Sequence, residues 1–381
     1  MLLAILLLHY SILSLRSFSD FGPYYKAGER FAGSENLYNF ADGHYLFKYS
    51  PLAALFFAPI ALLPYSTAAA LWLGLSWLLL GFSYLLAKKL EWGGEPLPIW
   101  AGLLIFLGLS KFALAEIHLG QVDFLLLFLV LVALASLGRR REVFGGVLLA
   151  LAVLFKPPLL LISILAVWRR RTMFLLGLGG ALLVGLCLPI LQYGFLGALS
   201  LYHGWWAVLS TSSPGLLASE VNQSIFGALT RWLVQNPKGR TLLDLSAEVP
   251  LILGFAALVG FLFVLWRLEK GYQSDSEHRS TVPALLIMGS VLFSPLGWVQ
   301  NYVLALPALI RAVGCLVREQ AQSRWRLACL ALFYLTAVLP NFELLGRHFY
   351  NVYLGQSWMF LGILGLVAAN LIPLQGESDG E

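Results

Sequence analysis

Apolar residues come in long runs along this chain, separated by short polar or basic connectors, with no sustained alternation of the strand kind. A membrane-crossing helix needs roughly 20 mostly apolar residues. Read against turn and charge signals, the runs predict helices at about 1–16, 65–87, 98–115, 120–138, 143–155, 158–168, 172–193, 249–267, 282–296, 301–317, 327–340 and 352–373. The expected fold class is therefore all-α: one integral membrane domain over residues 1–381, with about 12 transmembrane helices. Residues 1–15 lack a basic start and a small-residue cleavage site, so they read as a retained first helix and not as a signal peptide.

The basic clusters test this division. Lys88 with Lys89, Arg139 to Arg141, Arg169 to Arg171, Arg267 with Lys270, and Arg318 with Arg324 and Arg326 all fall on the cytoplasmic side if the N-terminus is cytoplasmic. The runs at 143–155 and 158–168 are short and have basic outer flanks, so they read as a hairpin turning at Lys156-Pro157-Pro158. Irregular backbone at that depth needs burial in protein or a hydrated cavity. Two long segments then face outward, residues 17–64 and 194–248. The first carries Tyr24-Tyr25-Lys26-Ala27-Gly28-Glu29-Arg30-Phe31, which reads as a short amphipathic helix along the interface, followed after Pro51 by an apolar stretch that lies in the interface or re-enters.

Composition narrows the class further. Of 381 residues 59% are hydrophobic and 12% charged, and the mean hydropathy is +0.79, too apolar for water to be the main solvent. The net charge of +5 does not indicate nucleic acid, because the cations sit at the ends of apolar runs. Cys187, Cys315 and Cys329 lie within apolar runs without metal-ligand spacing and read as small buried hydrophobes. No Walker or phosphate loop and no metal-ligand helix motif is present, so neither a metal nor a cofactor is expected.

Polar residues inside such a chain are the candidates for chemistry. Asp20 follows the first helix among aromatics that include Tyr24 and Tyr25. A carboxylate stripped of water there suits a general base for a hydroxyl nucleophile, although a helix-end residue is the plain alternative. Glu116-Ile117-His118-Leu119-Gly120-Gln121-Val122-Asp123 places several hydrogen-bonding groups at one outer junction; lining a cavity and capping a helix are both open. Lys156 needs an anion, a carboxylate of the protein or a lipid phosphate, unless it snorkels outward. Asn222-Gln223-Ser224 reads as a polar set or a turn and cap. Trp298, Gln300 and Asn301, after Ser294-Pro295, offer a ring face and amides of the kind that hold sugars, or an interfacial belt. His348 stands near the last outer loop.

Taken in order, Asp20 with Tyr24-Tyr25, Leu37-Tyr38, Tyr49-Ser50-Pro51-Leu52, Gly120-Gln121-Val122-Asp123, Lys156-Pro157-Pro158, Asn222-Gln223-Ser224 and Ser294-Pro295 with Trp298 resemble glycosyltransferase family 87. These are GT-C membrane enzymes typified by polyprenyl-phosphate-mannose-dependent α-mannosyltransferases. The resemblance implies a GT-C-like bundle with amphipathic helices on its outer face and a catalytic Asp in the first outer loop, which maps onto Asp20. It also implies a donor-phosphate cation at Lys156 and substrate contacts from Tyr24, Tyr25, Gln121, Asp123, Asn222, Gln223 and Trp298; by their own side-chain chemistry Gln300 and Asn301, with His118 and His348, are expected to join them. Relatives often carry His just beyond the Trp of their Ser-Pro-x-x-Trp motif, where this chain has Gln300 and Asn301.

The expected function is inverting transfer of a sugar, mannose by resemblance, from a polyprenyl phosphate to a glycolipid or glycan hydroxyl on the non-cytoplasmic face of the cell membrane. The expected partners are that donor, that acceptor and membrane lipid, with no nucleic acid. The rival reading is a transporter or flippase of a lipid-linked sugar, which would show repeated halves and charges near the midplane. Here the polar residues gather at one surface without visible duplication.

Overall fold

A computed structural model describes residues 9–15, 18–137, 140–212, 214–236, 241–271, 281–320 and 322–372. The first eight residues of the expected opening helix lie outside this set; residues 9–14 are helical. The described residues are otherwise helices and connectors, with one isolated antiparallel bridge between Asn222 and Trp298. Four helices are long and apolar enough to cross a membrane, or up to six if each of two bent pairs counts as one span. The chain divides into two compact units, residues 1–83 with 114–214, and residues 84–113 with 215–381.

The first unit contains α1 (Phe21–Ala32), α2 (Pro51–Phe57), the N-terminal part of α3 (Tyr65–Trp92), the end of α4 (Ile99–Leu119), α5 (Asp123–Ser136), α6 (Glu142–Phe155), α7 (Ser163–Trp168), α8 (Thr172–Cys187) and α9 (Pro189–Ser212). The amphipathic helix expected over Tyr24 to Phe31 is α1, whose apolar face buries Phe21, Tyr24, Ala27 and Phe31. At its far end Asp42 clamps the helix: Lys26 Nζ and Arg30 Nη1 reach its carboxylate at 2.6 and 2.5 Å. The Arg30 guanidinium foremost holds that carboxyl below its usual range.

Glycine decides how α6 meets α8. A Cβ on Gly146 would lie 2.1 Å from the Phe174 carbonyl oxygen, and one on Gly177 would lie 2.3 Å from that of Val143. Small residues of this kind let two backbones approach where lipid gives no hydrophobic drive for association. Lys156 ends α6 in extended backbone, and a 3-10 turn over Pro157–Ile162 leads into α7. Arg171 Nη1 then returns to 3.3 Å from Glu142 Oε1, which joins the segment after α7 to the start of α6.

Of the boundaries that differ from the sequence reading, two lie in the first unit and change its course. The run begun at 120 becomes helical only at Asp123, because Gly120 takes φ +71°. The run at 172–193 breaks after Cys187 before Pro189, which has no N–H to continue the ladder, and α9 carries helix well into the segment read as an outer loop. Cys315 is buried as expected, but Cys187 is exposed beside Leu183, Val184 and Leu186 on an apolar face, where lipid suits a thiol as well as protein does.

The second unit holds α10 (Ile225–Leu233), α11 (Glu248–Gly271), α12 (Thr281–Leu292), α13 (Leu306–Arg318), α14 (Arg324–Phe333), α15 (Phe342–Gly355) and α16 (Trp358–Leu371). Every residue of α12 except Pro283, and those of α13 from Leu306 to Leu316, are buried, as in a helix enclosed by others. By contrast α11 exposes Leu251, Ile252, Phe255, Val259 and Phe263, a face that only lipid solvates well.

Candidate active site

Gly120 makes the corner on which the first unit's polar side chains converge. Its positive φ turns the chain between α4 and α5, and a Cβ there would press at 3.0 Å on Phe18 and Phe21. Trp72 Nε1 donates to the Gly120 carbonyl at 3.0 Å, and the Asp20 N–H donates to the Leu119 carbonyl at 3.0 Å. The start of the segment that leads into α1 is therefore stitched to this corner by backbone.

Side chains complete the stitching. Gln121 donates from Nε2 to Asp20 Oδ2. Its Oε1 faces the Tyr24 hydroxyl at 2.8 Å and the Tyr49 hydroxyl at 3.2 Å. Burial raises both phenols above their usual range, so they stay protonated and serve as donors. With the phenols holding the oxygen, the amide nitrogen must turn toward Asp20.

Two residues further on, Asp123 is fully buried and meets Lys156 Nζ at 2.6 Å. The Asp123 N–H donates to Glu116 Oε1 at 2.6 Å, so Glu116 caps the start of α5 across the corner. Glu116 is itself 1% exposed, and its Oε2 is buried with no hydrogen-bond partner among the described residues. Lys156 has thus found a carboxylate of the protein, the first of the two anions expected for it. Ser50 Oγ donates to the Leu154 carbonyl, which ties the segment before α2 to the end of α6.

Of the residues expected at the site, Asp20, Tyr24, Gln121, Asp123 and Lys156 gather here. Tyr25 points elsewhere, its hydroxyl donating to the Leu63 carbonyl at 2.9 Å and its ring standing edge-on to Tyr65. His118 is exposed on α4 near the Tyr10 ring. Tyr49 and Glu116 belong to the cluster but were not among the expected site residues. Tyr49 had a signal, its place before Ser50-Pro51, while Glu116 had only its nearness to Gln121.

The remaining expected residues lie in the second unit. Asn222 accepts from the N–H groups of Gly297 and Ser224 and donates to the carbonyls of Leu217 and Pro295. Gln223 donates to the carbonyls of Glu220 and Leu354 and accepts from the Phe360 N–H. Both are fully buried, and every polar atom of the two amides bonds to backbone. Asn301 accepts from the Trp298 N–H at 3.0 Å and fixes the turn in which half-buried Trp298 and Gln300 sit. Arg231, fully buried, closes the same knot on the carbonyls of Ser219 and Asn222 and on Ser357 Oγ. His348 is exposed on α15 and makes no hydrogen bond with this knot among the described residues.

A helical bundle that exposes apolar faces while burying a carboxylate, an amide, two phenols and an ion pair around one corner has the make-up of a membrane enzyme, since such groups are expensive in lipid unless they are used. Residues 47–295 match glycosyltransferase family 87, and the chain belongs to that family. The match takes in Tyr49, Gln121, Asp123, Lys156, Asn222 and Gln223, whereas Asp20, Tyr24 and Tyr25 precede it and Trp298, Gln300, Asn301 and His348 follow it.

Three curated relatives are similar to it. A polyprenol-phosphate-mannose-dependent alpha-(1-2)-phosphatidylinositol pentamannoside mannosyltransferase of Mycobacterium tuberculosis is 24% identical over 85% of this chain and 73% of its own length. A polyprenol-phosphate-mannose-dependent alpha-(1-2)-phosphatidylinositol mannoside mannosyltransferase of Mycolicibacterium smegmatis is 28% identical, over 79% and 69%. An alpha-(1->3)-arabinofuranosyltransferase of Corynebacterium glutamicum is 22% identical, over 77% and 67%. No solved structure matches the chain.

Proposed function

We propose that this glycosyltransferase moves mannose from a polyprenyl phosphate to a hydroxyl of a glycolipid or glycan at the non-cytoplasmic face of the cell membrane, inverting the anomeric carbon, with Asp20 as general base. The family and the activities for which two relatives are named support the donor class. One arrangement supports the assignment of the base: Gln121, held by two phenols, aims its amide nitrogen at the Asp20 carboxylate, while its neighbour Asp123 engages Lys156 on the same corner.

The chemistry follows from those groups. Asp20 takes the proton of the acceptor hydroxyl; the oxygen attacks the anomeric carbon, and the bond from that carbon to the phosphate oxygen breaks on the opposite face. The polyprenyl phosphate that leaves carries the displaced electron pair and stays in the bilayer. The cytoplasmic placing of the basic clusters supports the outward site, and counting each shorter apolar helix as a crossing supports about 12 spans.

General-base assistance is worth about 10²- to 10⁴-fold. Asp20→Asn, purified in detergent with labelled donor and acceptor, is expected to lose at least the lower figure in turnover while still binding donor lipid. Near-normal turnover would overturn the assignment. A wild-type protein that forms no glycosidic bond in detergent would return the flippase reading. The arabinofuranosyl relative favours a second donor sugar, so both donors belong in the assay.

A further inference from the structure

Lys48 stands in the non-helical stretch before α2, and hydrogen bonds hold the backbone there and the two side chains that follow. Trp205 Nε1 donates to the Lys48 carbonyl at 3.0 Å, and Tyr38 donates to the Tyr49 carbonyl at 2.7 Å. The next side chain, Tyr49, reaches Gln121, and the one after it, Ser50, is tied to the turn of α6 just before Lys156. This places Lys48 beside the corner that holds Asp20. Its side chain is half-buried, and its ammonium has no hydrogen bond or ion pair among the described residues. Burial lowers its basicity, and the Asp20 carboxylate works against that lowering, so the two charges lie within electrostatic reach.

Lys156 is in the opposite condition. Its charge is matched at 2.6 Å by a fully buried Asp123, and Glu116 adds a second buried carboxyl on the same helix start. An ammonium already matched by a buried carboxylate has little charge left to attract an anion. Taking a polyprenyl phosphate sugar as the donor, we propose that Lys48 is the cation that binds the donor's phosphate next to Asp20, and that Lys156 is a positioning residue that holds Asp123 and the Gly120 corner in place.

The chemistry favours a free ammonium at this point. The donor phosphate is a diester with one negative charge, and cleavage of the glycosyl bond turns it into a monoester that gains a second. A fixed cation beside it is therefore felt more strongly at the transition state than in the bound donor. An ammonium that has already lost part of its hydration also gives up less when the phosphate arrives.

The test compares Lys48→Gln, Lys48→Arg and Lys156→Gln in the purified full-length chain in detergent, with polyprenyl monophosphate as the binding probe and the uncharged polyprenol of the same length as control. Losing a charge-assisted contact is expected to weaken monophosphate binding by about 10- to 100-fold in Lys48→Gln. Polyprenol binding is expected to stay unchanged, and Lys48→Arg to retain binding within a few-fold. Donor kcat and KM are both expected to worsen in Lys48→Gln.

Lys156→Gln is expected to lower the melting temperature while its folded fraction still binds the monophosphate. As pH rises, wild-type affinity is expected to fall before the usual lysine range is reached, because burial lowers the ammonium's basicity, whereas Lys48→Arg stays flat. Unchanged monophosphate binding in Lys48→Gln, equal losses for monophosphate and polyprenol, or a wild type that does not bind the monophosphate would each overturn the proposal. A wild type that binds the monophosphate but forms no glycosidic bond would overturn the transferase reading alone, because the binding comparison still decides Lys48.

Discussion

The direction of the Gln121 amide governs what Asp20 faces. Tyr24 and Tyr49, kept protonated by burial, both offer hydrogens, so they fix the amide oxygen and leave the nitrogen for the carboxylate. Gln121→Glu keeps the shape but sets a second carboxylate against Asp20, and two such groups at contact distance share a proton. Turnover is expected to fall by about 10- to 100-fold near neutral pH, with the acidic limb of the rate profile moved to higher pH. An unchanged profile, measured against Gln121→Asn as a control for packing, would show that the amide does not orient the base. Asp20 and Gln121 were legible in the sequence as uncommon polar residues at one surface. That they are bonded was not, because 101 residues separate them and no local pattern encodes the contact.

Among the elements, the junction of α6 with α8 bears most directly on the site, since α6 ends at Lys156. The Gly146 and Gly177 contacts leave no room for a larger side chain. Gly146→Leu is expected to cost about 1–3 kcal/mol in packing strain, as overfilled interiors do, and to lower the melting temperature in detergent. Gly179→Leu is the matched control, because a Cβ there meets open space. Equal behaviour of the two variants would refute close backbone packing at this junction. The helices themselves were mostly legible, since apolar runs and Pro, Gly and basic punctuation are local signals. The start of α5 and the break between α8 and α9 were misread by a few residues because Gly120 and Pro189 act through backbone geometry, which hydropathy does not register.

For the whole molecule, sidedness is the claim that matters, because an acceptor and donor at the outer face require the corner to open there. In a background with Cys187, Cys315 and Cys329 replaced, a membrane-impermeant maleimide is expected to label Glu35→Cys in intact cells and Arg170→Cys only after permeabilisation. Both positions are exposed, so the reagent reads side and not burial. The reverse pattern would put the site on the cytoplasmic face and sink the outward reading.

The amino-acid sequence by itself determined that lipid is this protein's main solvent, which flanks are basic, and which few polar residues stand out against an apolar background. These follow from composition and short-range order, and transfer into lipid penalises each polar group wherever it falls. Tertiary structure alone decided how those groups pair. Lys156 is consumed by Asp123, Asn222 and Gln223 are spent on backbone, and Lys48 keeps an ammonium with no hydrogen bond or ion pair among the described residues. An ion pair or hydrogen bond depends on where helices distant in the chain bring two atoms within about 3 Å, and no count of residue types contains that distance.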